Sequence, residues 1–386
     1  MSKQARYLAL VTHSLSELDV LFPIFADLRK SSRDECPSFE IVIAVNKIYK
    51  AYQSHAFYHY CSKQIGVTVN ILCLPNKFDH RQPFFFTKWG GRILRAYQLF
   101  QAFLGYPRLL IKLLSFDFWM HEYSNQLNST RPIYWLQYLL SKPIFTYHHG
   151  HVVSLGNIGA YKHHLPLANR STALIFHSHN SAYFSSLGYI NQKVIGYPKF
   201  FTAWLNLVKD YTPQNNPRLP YVAIFSRHIH PIYMDALNYE KLLLSSYQAI
   251  RDALGEVRIV LKPHPREDTD EIYRMVVNHK MEGLEISHEH AAVLSKHAVV
   301  GITFWGSVIL DTLSVNTPAI EYYIEAQRFR ESETGGSTYR NIGITSTSDP
   351  ETLATYLRSI ANNKPDLPKF FRDLPKSMPS PLSKFG

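Results

Sequence analysis

Short apolar runs recur along the chain, each closing on polar or turn-forming residues and each followed by a stretch of helical periodicity. The first spans Tyr7 to Val11 and ends at Thr12-His13-Ser14. Leu18, Leu21, Phe22, Phe25 and Leu28 then share one helical face, with Ser16 and Asp19 as candidate caps. Phe39 to Val45, Val67 to Leu72, Pro143 to Tyr147 and Ala173 to Phe176 read as further strands. Strands alternating with helices predict a parallel sheet with right-handed crossovers.

The rhythm breaks between Phe84 and Met120. Aromatic residues such as Phe84, Trp89, Tyr97, Phe103 and Trp119 are interleaved there with Lys88, Arg92, Arg95, Arg108 and Lys112. On a helix, Lys88, Arg92 and Arg95 fall on one face, opposite Ile93, Tyr97, Phe100 and Leu104. The pattern predicts a basic amphipathic segment suited to a membrane surface.

Asp210 to Pro220, with Pro213, Pro217 and Pro220, reads as a linker. It divides a domain of residues 1–209 from one of residues 210–386, and the alternation restarts beyond it. Tyr221 to Phe225, Val257 to Leu261, Leu284 to Ile286, Ala298 to Ile302 and a last run, Pro318 to Tyr322, read as strands. Tyr239 to Leu254, Thr269 to His279 and Pro350 to Ala361 read as helices, and the Pro/Lys-rich end from Lys364 as a tail. The class is α/β, with two Rossmann-like domains.

Charge narrows the partners. Lys plus Arg exceeds Asp plus Glu by 41 − 30, giving +11, which suits a polyanionic partner or an anionic membrane. No nucleic-acid recognition module accompanies the charge, so nucleic acid is not expected. The polar start, Met1 to Arg6, lacks a signal-peptide pattern, and no apolar run approaches the roughly 18 residues of a spanning helix. Cys36, Cys61 and Cys73 show neither disulfide nor zinc spacing. A cytoplasmic protein, peripheral on the inner face of the membrane, is the expectation.

The densest chemistry follows Val257 to Leu261. Lys262-Pro263-His264-Pro265-Arg266 places three basic side chains in five residues, with prolines fixing the backbone on both sides of the imidazole. Ligands bind beyond the strand ends of open parallel sheets, and a phosphorylated ligand suits this turn. A protonated His264 would add a charge-assisted hydrogen bond. His149-Gly150 closes another run, and the glycine allows close backbone approach. Thr303 to Ser307 is a small, hydroxyl-bearing turn opening a helix through Asp311, where free N–H groups and the helix dipole suit an anion. The histidines around 148–151 and 177–179 lack metal-ligand spacing and a carboxylate partner, so no metal is expected.

Taken in order, His149-Gly150, Gly196-x-Pro198, Lys262-x-His264-Pro265 and Ser307-x-x-x-Asp311 resemble bacterial surface-polysaccharide transferases with an HP motif. That group includes capsule-type Kdo transferases, bacterial sialyltransferases and teichoic-acid glycerophosphotransferases. The resemblance implies the GT-B fold, two Rossmann-like domains facing across a cleft. It also implies a nucleotide-activated donor, commonly CMP- or CDP-linked, a surface-glycan or lipid-linked acceptor, and no cofactor. His264 and Lys262 would stabilise the leaving phosphate. Pro265, Arg266, Thr303, Gly306, Ser307 and Asp311 would line the donor site, and Glu321 would hold ribose or base. On the acceptor side stand His13, Glu17, Asp19 and Gly150. The general base stays open among Glu17, Asp19, Glu122 and His149, with His149 first because a neutral imidazole suits proton abstraction. Two departures bear on the donor: Lys199 stands where the teichoic enzymes usually have arginine, and Gly306-Ser307 where they have a doubled serine. The alternatives are CDP-polyol phosphotransfer, sugar-nucleotide epimerisation, and a non-catalytic lipid- or glycan-binding scaffold.

Overall fold

The computed structural model describes residues 4–12, 14–32, 37–72, 107–123, 139–149, 165, 168–213, 220–229, 234–304, 306–324, 339–362, 365–379 and 382. They divide into two compact units, one running to Trp204 and taking back the chain from Pro375, the other spanning Leu205–Leu374.

The first unit is built on a parallel sheet of seven strands, β1 (Arg6–Val11), β2 (Ser38–Ile43), β3 (Val67–Ile71), β4 (Phe118–Glu122), β5 (Ile144–Tyr147), β6 (Thr172–Ile175) and β7 (Asn191–Val194), in the order β3-β2-β1-β4-β5-β6-β7. Five of the six residues of β1 are buried, as expected of a central parallel strand covered on both faces. Helices α1 (Leu18–Ser31), α2 (Asn46–Gln53) and α3 (Ala56–Ile65) follow the first two strands. Gly66, at φ +75°, takes the left-handed cap position of α3 and turns the chain directly into β3.

Strand β4 is the main surprise of this unit. Lys88, Arg92 and Arg95 lie outside the described residues; in the C-terminal part of the aromatic-basic stretch Phe116 and Trp119 are buried, whereas Ile111 and Leu114 are exposed. Residues 107–115 form a helix that buries Leu109 and Leu113. Trp119 then enters the sheet with its indole N–H donating to the Leu113 carbonyl at 3.0 Å. β4 pairs with both β1 and β5, so it is a central strand. Its end carries His121 and Glu122, both buried, which broke the apolar pattern that marks the other strands.

The second unit carries six parallel strands, β8 (Tyr221–Phe225), β9 (Arg258–Lys262), β10 (Leu284–Ile286), β11 (Val300–Thr303), β12 (Ala319–Tyr322) and β13 (Thr345–Thr347), in the order β10-β9-β8-β11-β12-β13. The run ending at Tyr322 is therefore not the last strand. Polar Thr345-Ser346-Thr347 adds an edge beyond it. Helix Ala236–Leu254 is capped by Asp235, whose carboxylate accepts the Asn238 N–H at 2.7 Å, and it packs on helix Pro350–Asn362.

The end of the chain is not a loose tail. Helix Lys369–Arg372 buries Phe371, and the segment from Pro375 returns to the first unit. There the buried Asp27 of α1 accepts the Met378 N–H at 2.9 Å, and Thr202 donates to the Lys376 carbonyl at 2.8 Å. Burial of Met378 and Leu382 is what holds it. The division between the two compact units falls after Trp204, within helix Thr202–Asp210.

Candidate active site

Each sheet reverses its strand order once, between β1 and β4 in the first unit and between β8 and β11 in the second. Beyond the carboxyl ends of the strands at such a reversal, neighbouring loops diverge and leave room for a ligand. Both clusters described below occupy those ends.

In the second unit, β9 delivers Lys262 to the edge and the Pro-flanked turn follows. Arg227 and His228 come off the end of β8 beside it. The His228 and His264 rings lie 4.5 Å apart, tilted by 36°. Burial pushes His264 down to about 3, and the positive fields of His228, Arg266, Arg227 and Lys262 act in the same direction. Burial and Lys262 also lower His288, which follows β10. The expected imidazolium at position 264 is therefore a neutral ring near neutrality. Its Nδ1 accepts the Arg266 N–H at 3.2 Å, so Nε2 carries the proton and serves as an uncharged donor. The permanent positive charge comes from Arg227, Lys262 and Arg266.

A carboxylate holds this turn in shape. Glu267 accepts the backbone N–H of His264 and, at 2.5 Å, the Ser226 hydroxyl, while its own N–H donates to the His264 carbonyl at 2.9 Å. Burial raises the Glu267 carboxyl, and the Ser226 and His264 donors pull it back down. Ser226 also donates its N–H to the Lys262 carbonyl at 3.2 Å, joining the ends of β8 and β9. Pro265 and Arg266 are exposed at the tip.

The other predicted donor residues divide into lining and core. Thr303 ends β11 in register with Phe225 and Glu321, buried, with no partner for its hydroxyl among the described residues. Gly306 and Ser307 are half-buried in the turn beyond it. The helix expected to grip an anion covers only Ile309–Ser314 and starts two residues past Ser307. At six residues it is too short to carry much dipole. Asp311 is buried within that helix, and Glu321 is fully buried with Oε2 accepting the Ser346 hydroxyl at 2.7 Å.

The first unit gathers a different set. Glu17 follows β1 and is fully buried; its Oε1 accepts the N–H groups of Thr12 and Ser14, each at 3.1 Å. Its Oε2 accepts the Tyr147 hydroxyl at 3.1 Å. Glu122, fully buried at the end of β4, makes a 3.3 Å ion-pair contact from Oε1 to Nδ1 of His149, whose side chain is 23% exposed. Burial, then the fields of Glu17 and Glu122, hold the Tyr147 hydroxyl well above its ordinary value. Asp19 does not join this group: on α1 it accepts the Tyr58 hydroxyl of α3 at 2.7 Å. His13 and Gly150 lie outside the described residues.

Two other motif segments find structural explanations. Gly196 sits at φ +86°, and a Cβ there would stand 3.3 Å from Pro375, so the Gly-x-Pro corner seats the returning C-terminal segment. Lys199 follows in the 3-10 turn Pro198–Phe200. Among the described residues, no group of three or more His, Cys, Asp or Glu is arranged to hold a metal ion.

Arg227, His228, Ser226, Glu267 and Tyr147 escaped the sequence reading. The first three carry a usable signal, since a Ser-Arg-His triplet directly follows an apolar run just as Lys-Pro-His-Pro does. Tyr147 carries none, because nothing local marks a residue whose partner is 130 positions away, and for Glu267 the Ser226 partner is 41 positions away.

No protein-family model and no curated protein matches the chain. Solved structures do. A protein described as a UDP-N-acetylglucosamine 2-epimerase from Listeria monocytogenes is similar over 96% of this chain and 91% of its own, with 9% identity and a TM-score of 0.58. UDP-GlcNAc 2-epimerase from Methanocaldococcus jannaschii, in complex with UDP-GlcNAc and UDP, is similar over 98% and 97%, with 13% identity and a TM-score of 0.55. Heptosyltransferase WaaC from Escherichia coli, with ADP-2-deoxy-2-fluoro heptose, gives 11% identity over 93% and 100%, with a TM-score of 0.46. The chain has the α/β fold of the GT-B type, two Rossmann-like units each built on a parallel sheet.

Proposed function

We propose that the chain is a glycosyltransferase that moves a sugar from a nucleotide-activated donor to a glycan or lipid-linked acceptor. The observation that carries this reading is the cluster of basic side chains and imidazole donors at the strand reversal of the second unit. Arg227, His228, Lys262 and His264 converge there on one strand edge, with Glu267 spent on holding the turn. Such a cluster stabilises the negative charge that builds on a departing phosphate, which is where most of a transferase's barrier reduction arises. A nucleotide sugar is also what the Methanocaldococcus enzyme of like fold is seen to bind. Thr303, Gly306 and Ser307 line the phosphate side, with Pro265 and Arg266 at its rim. Protein cations stand where a divalent ion would otherwise be needed, so the reaction is expected to be metal-independent. CMP-linked donors remain the first choice on the motif resemblance. Lys88, Arg92 and Arg95 would bring the chain to an anionic membrane carrying the acceptor, each worth about 1 kcal/mol near the surface.

Thermal shift with CMP, CDP, UDP and GDP tests the donor side first. A ligand at about 100 times its dissociation constant stabilises by about 2.7 kcal/mol, so the true nucleotide stands out. The matching nucleotide sugar is then incubated with and without acceptor. Sugar transfer supports the reading. Isomerised nucleotide sugar formed without acceptor would show instead an epimerase, the activity named for the Listeria and Methanocaldococcus proteins. Transfer of a polyol phosphate from a CDP-polyol would show the phosphotransferase alternative.

A further inference from the structure

We infer that Glu267 is a positioning residue for the transfer step: it fixes which ring nitrogen of His264 is offered to the leaving phosphate. The inference rests on the transferase reading and adds to it a residue that acts through another.

The turn leaves few ways to hold the imidazole. Pro263 and Pro265 have no backbone N–H, so within Pro263-His264-Pro265 the only amide donor is that of His264. Glu267 takes it on the side-chain oxygen Oε2, and its own N–H donates to the His264 carbonyl at 2.9 Å. Both backbone polar groups of His264 are thus held by one residue. Arg266 completes the closure, donating its N–H to the ring Nδ1 at 3.2 Å. The ring is uncharged near neutrality, and with Nδ1 accepting, its proton sits on Nε2. His264 therefore meets a phosphate through its ring and not through its amide.

The same oxygen reaches the neighbouring strand. Glu267 Oε2 also accepts the Ser226 hydroxyl at 2.5 Å, and the Ser226 N–H donates to the Lys262 carbonyl at 3.2 Å. One carboxylate oxygen therefore ties the chain leaving β8, which carries Arg227 and His228, to the turn after β9. The spacing of the His228 and His264 rings, 4.5 Å, follows from this tie. Tyr239, buried on helix Ala236–Leu254, backs the same carboxylate; burial first, then the Glu267 charge, keep its hydroxyl protonated. Because both donors share one oxygen, the geometry of Glu267 can be separated from its charge. Geometry is the stronger lever, since misplacing a reacting group by about 1 Å can cost on the order of 10²-fold in rate.

The test uses the full-length chain and two variants, each first checked for a folded melting transition. Glu267→Gln offers an amide oxygen to both donors without the charge; Glu267→Asp keeps the charge but falls one methylene short. Histidine labelled in its ring nitrogens reports the His264 tautomer by NMR near neutral pH, with His264→Gln identifying the resonances. Wild type and Glu267→Gln should both carry the proton on Nε2, and Glu267→Asp should show a mixture of tautomers. With the donor and acceptor found above, kcat should fall on the order of 10²-fold in Glu267→Asp and stay close to wild type in Glu267→Gln. The donor KM should change little in either. The reverse order, Asp active and Gln impaired, would overturn the role by making the negative charge the working feature. An unaltered tautomer and a normal kcat in Glu267→Asp would overturn it too, leaving a merely structural contact. A wild type that transfers from no donor removes the transferase reading, whereas the tautomer comparison still decides whether Glu267 orients the ring.

Discussion

The imidazoles of His228 and His264 sit 4.5 Å apart although 36 positions separate them, one leaving β8 and the other β9. Their adjacency turns a local Lys-Pro-His-Pro motif into a two-strand grip, and it implies that the rings act together. His264→Ala should lower kcat by roughly 10²–10³-fold, the range for losing one donor to a developing charge. His228→Ala should act in the same direction. Because neighbouring groups couple, the double variant should lose less than the product of the two single losses. Single-turnover rates on the four proteins decide it: a near-normal rate in His264→Ala would remove its role, and strict multiplicativity would separate the rings functionally.

Acid should weaken the protein through imidazoles whose surroundings disfavour the charged form. His264 is held at about 3 and His121 at about 4, against an ordinary 6.5. As pH falls through 6.5 the unfolded chain takes up these protons and the folded one does not, so stability declines from there and levels off only below about 3. His264→Gln should flatten part of this decline. Urea midpoints at about pH 7 and pH 5 measure it, and an unchanged difference between the two would show that His264 titrates normally in the folded state.

Glu267 supports the turn through Ser226 and the His264 backbone, which makes it separately testable. Glu267→Ala strips partners from the Ser226 hydroxyl and the His264 N–H. Leaving such groups unsatisfied costs about 1–3 kcal/mol each where they are buried. Equilibrium urea unfolding should show a loss in that range, and no loss would mean that water replaces the carboxylate freely.

Much of this architecture was legible along the chain, and the reasons are local. Tyr221–Phe225 was bounded correctly because an uninterrupted apolar run marks a strand buried on both faces. The Lys262 to Arg266 turn was visible because prolines and charges cluster within five residues. β4 was hidden by His121 and Glu122, polar residues buried at its end. β13 was hidden by its wholly polar sequence, and the structured C-terminus by contacts such as Met378 to Asp27, 351 positions away. Local pattern reports burial and turn chemistry; it is silent on which distant partner makes a buried charge tolerable.

Metal dependence offers a direct check on the electrostatics. If Arg227, Lys262 and the two imidazoles stabilise the leaving phosphate, EDTA should leave the transfer rate unchanged. Loss of rate on chelation, restored by added Mg²⁺, would show that protein cations are insufficient. Lys262→Ala and Ser307→Ala should each weaken nucleotide binding in the same assay series, since one removes charge and the other a turn hydroxyl.

Gly301 probes how tightly the second sheet is packed behind its edge. It sits in β11, where a Cβ would meet Thr312 Cγ2 at 2.7 Å and Phe225 Cε2 at 3.3 Å. Thr312 is fully buried and is tied through its hydroxyl to Ser295 at 2.9 Å, so it has little freedom to withdraw. Gly301→Ala should therefore destabilise by about 1–3 kcal/mol through overpacking. A stabilised variant, as reduced backbone entropy alone would give, would mean that the helix Ile309–Ser314 shifts easily.

Asp27 makes the last prediction because its charge and its hydrogen bond pull in opposite directions. Burial raises its carboxyl, while the Met378 N–H and the Lys30 charge lower it, burial being the largest effect. The ionised side chain is thus costly where it stands, yet its oxygen anchors the returning C-terminal segment at 2.9 Å. Asn can supply the same carbonyl-type acceptor without the charge; Ala supplies neither. Asp27→Asn should leave stability at neutral pH unchanged or raised, whereas Asp27→Ala should lose about 1–3 kcal/mol by orphaning the buried N–H. Limited proteolysis near Met378 should be faster in Asp27→Ala and unaltered in Asp27→Asn. Equal destabilisation of both variants would mean that the negative charge itself, and not the acceptor oxygen, holds the segment to α1.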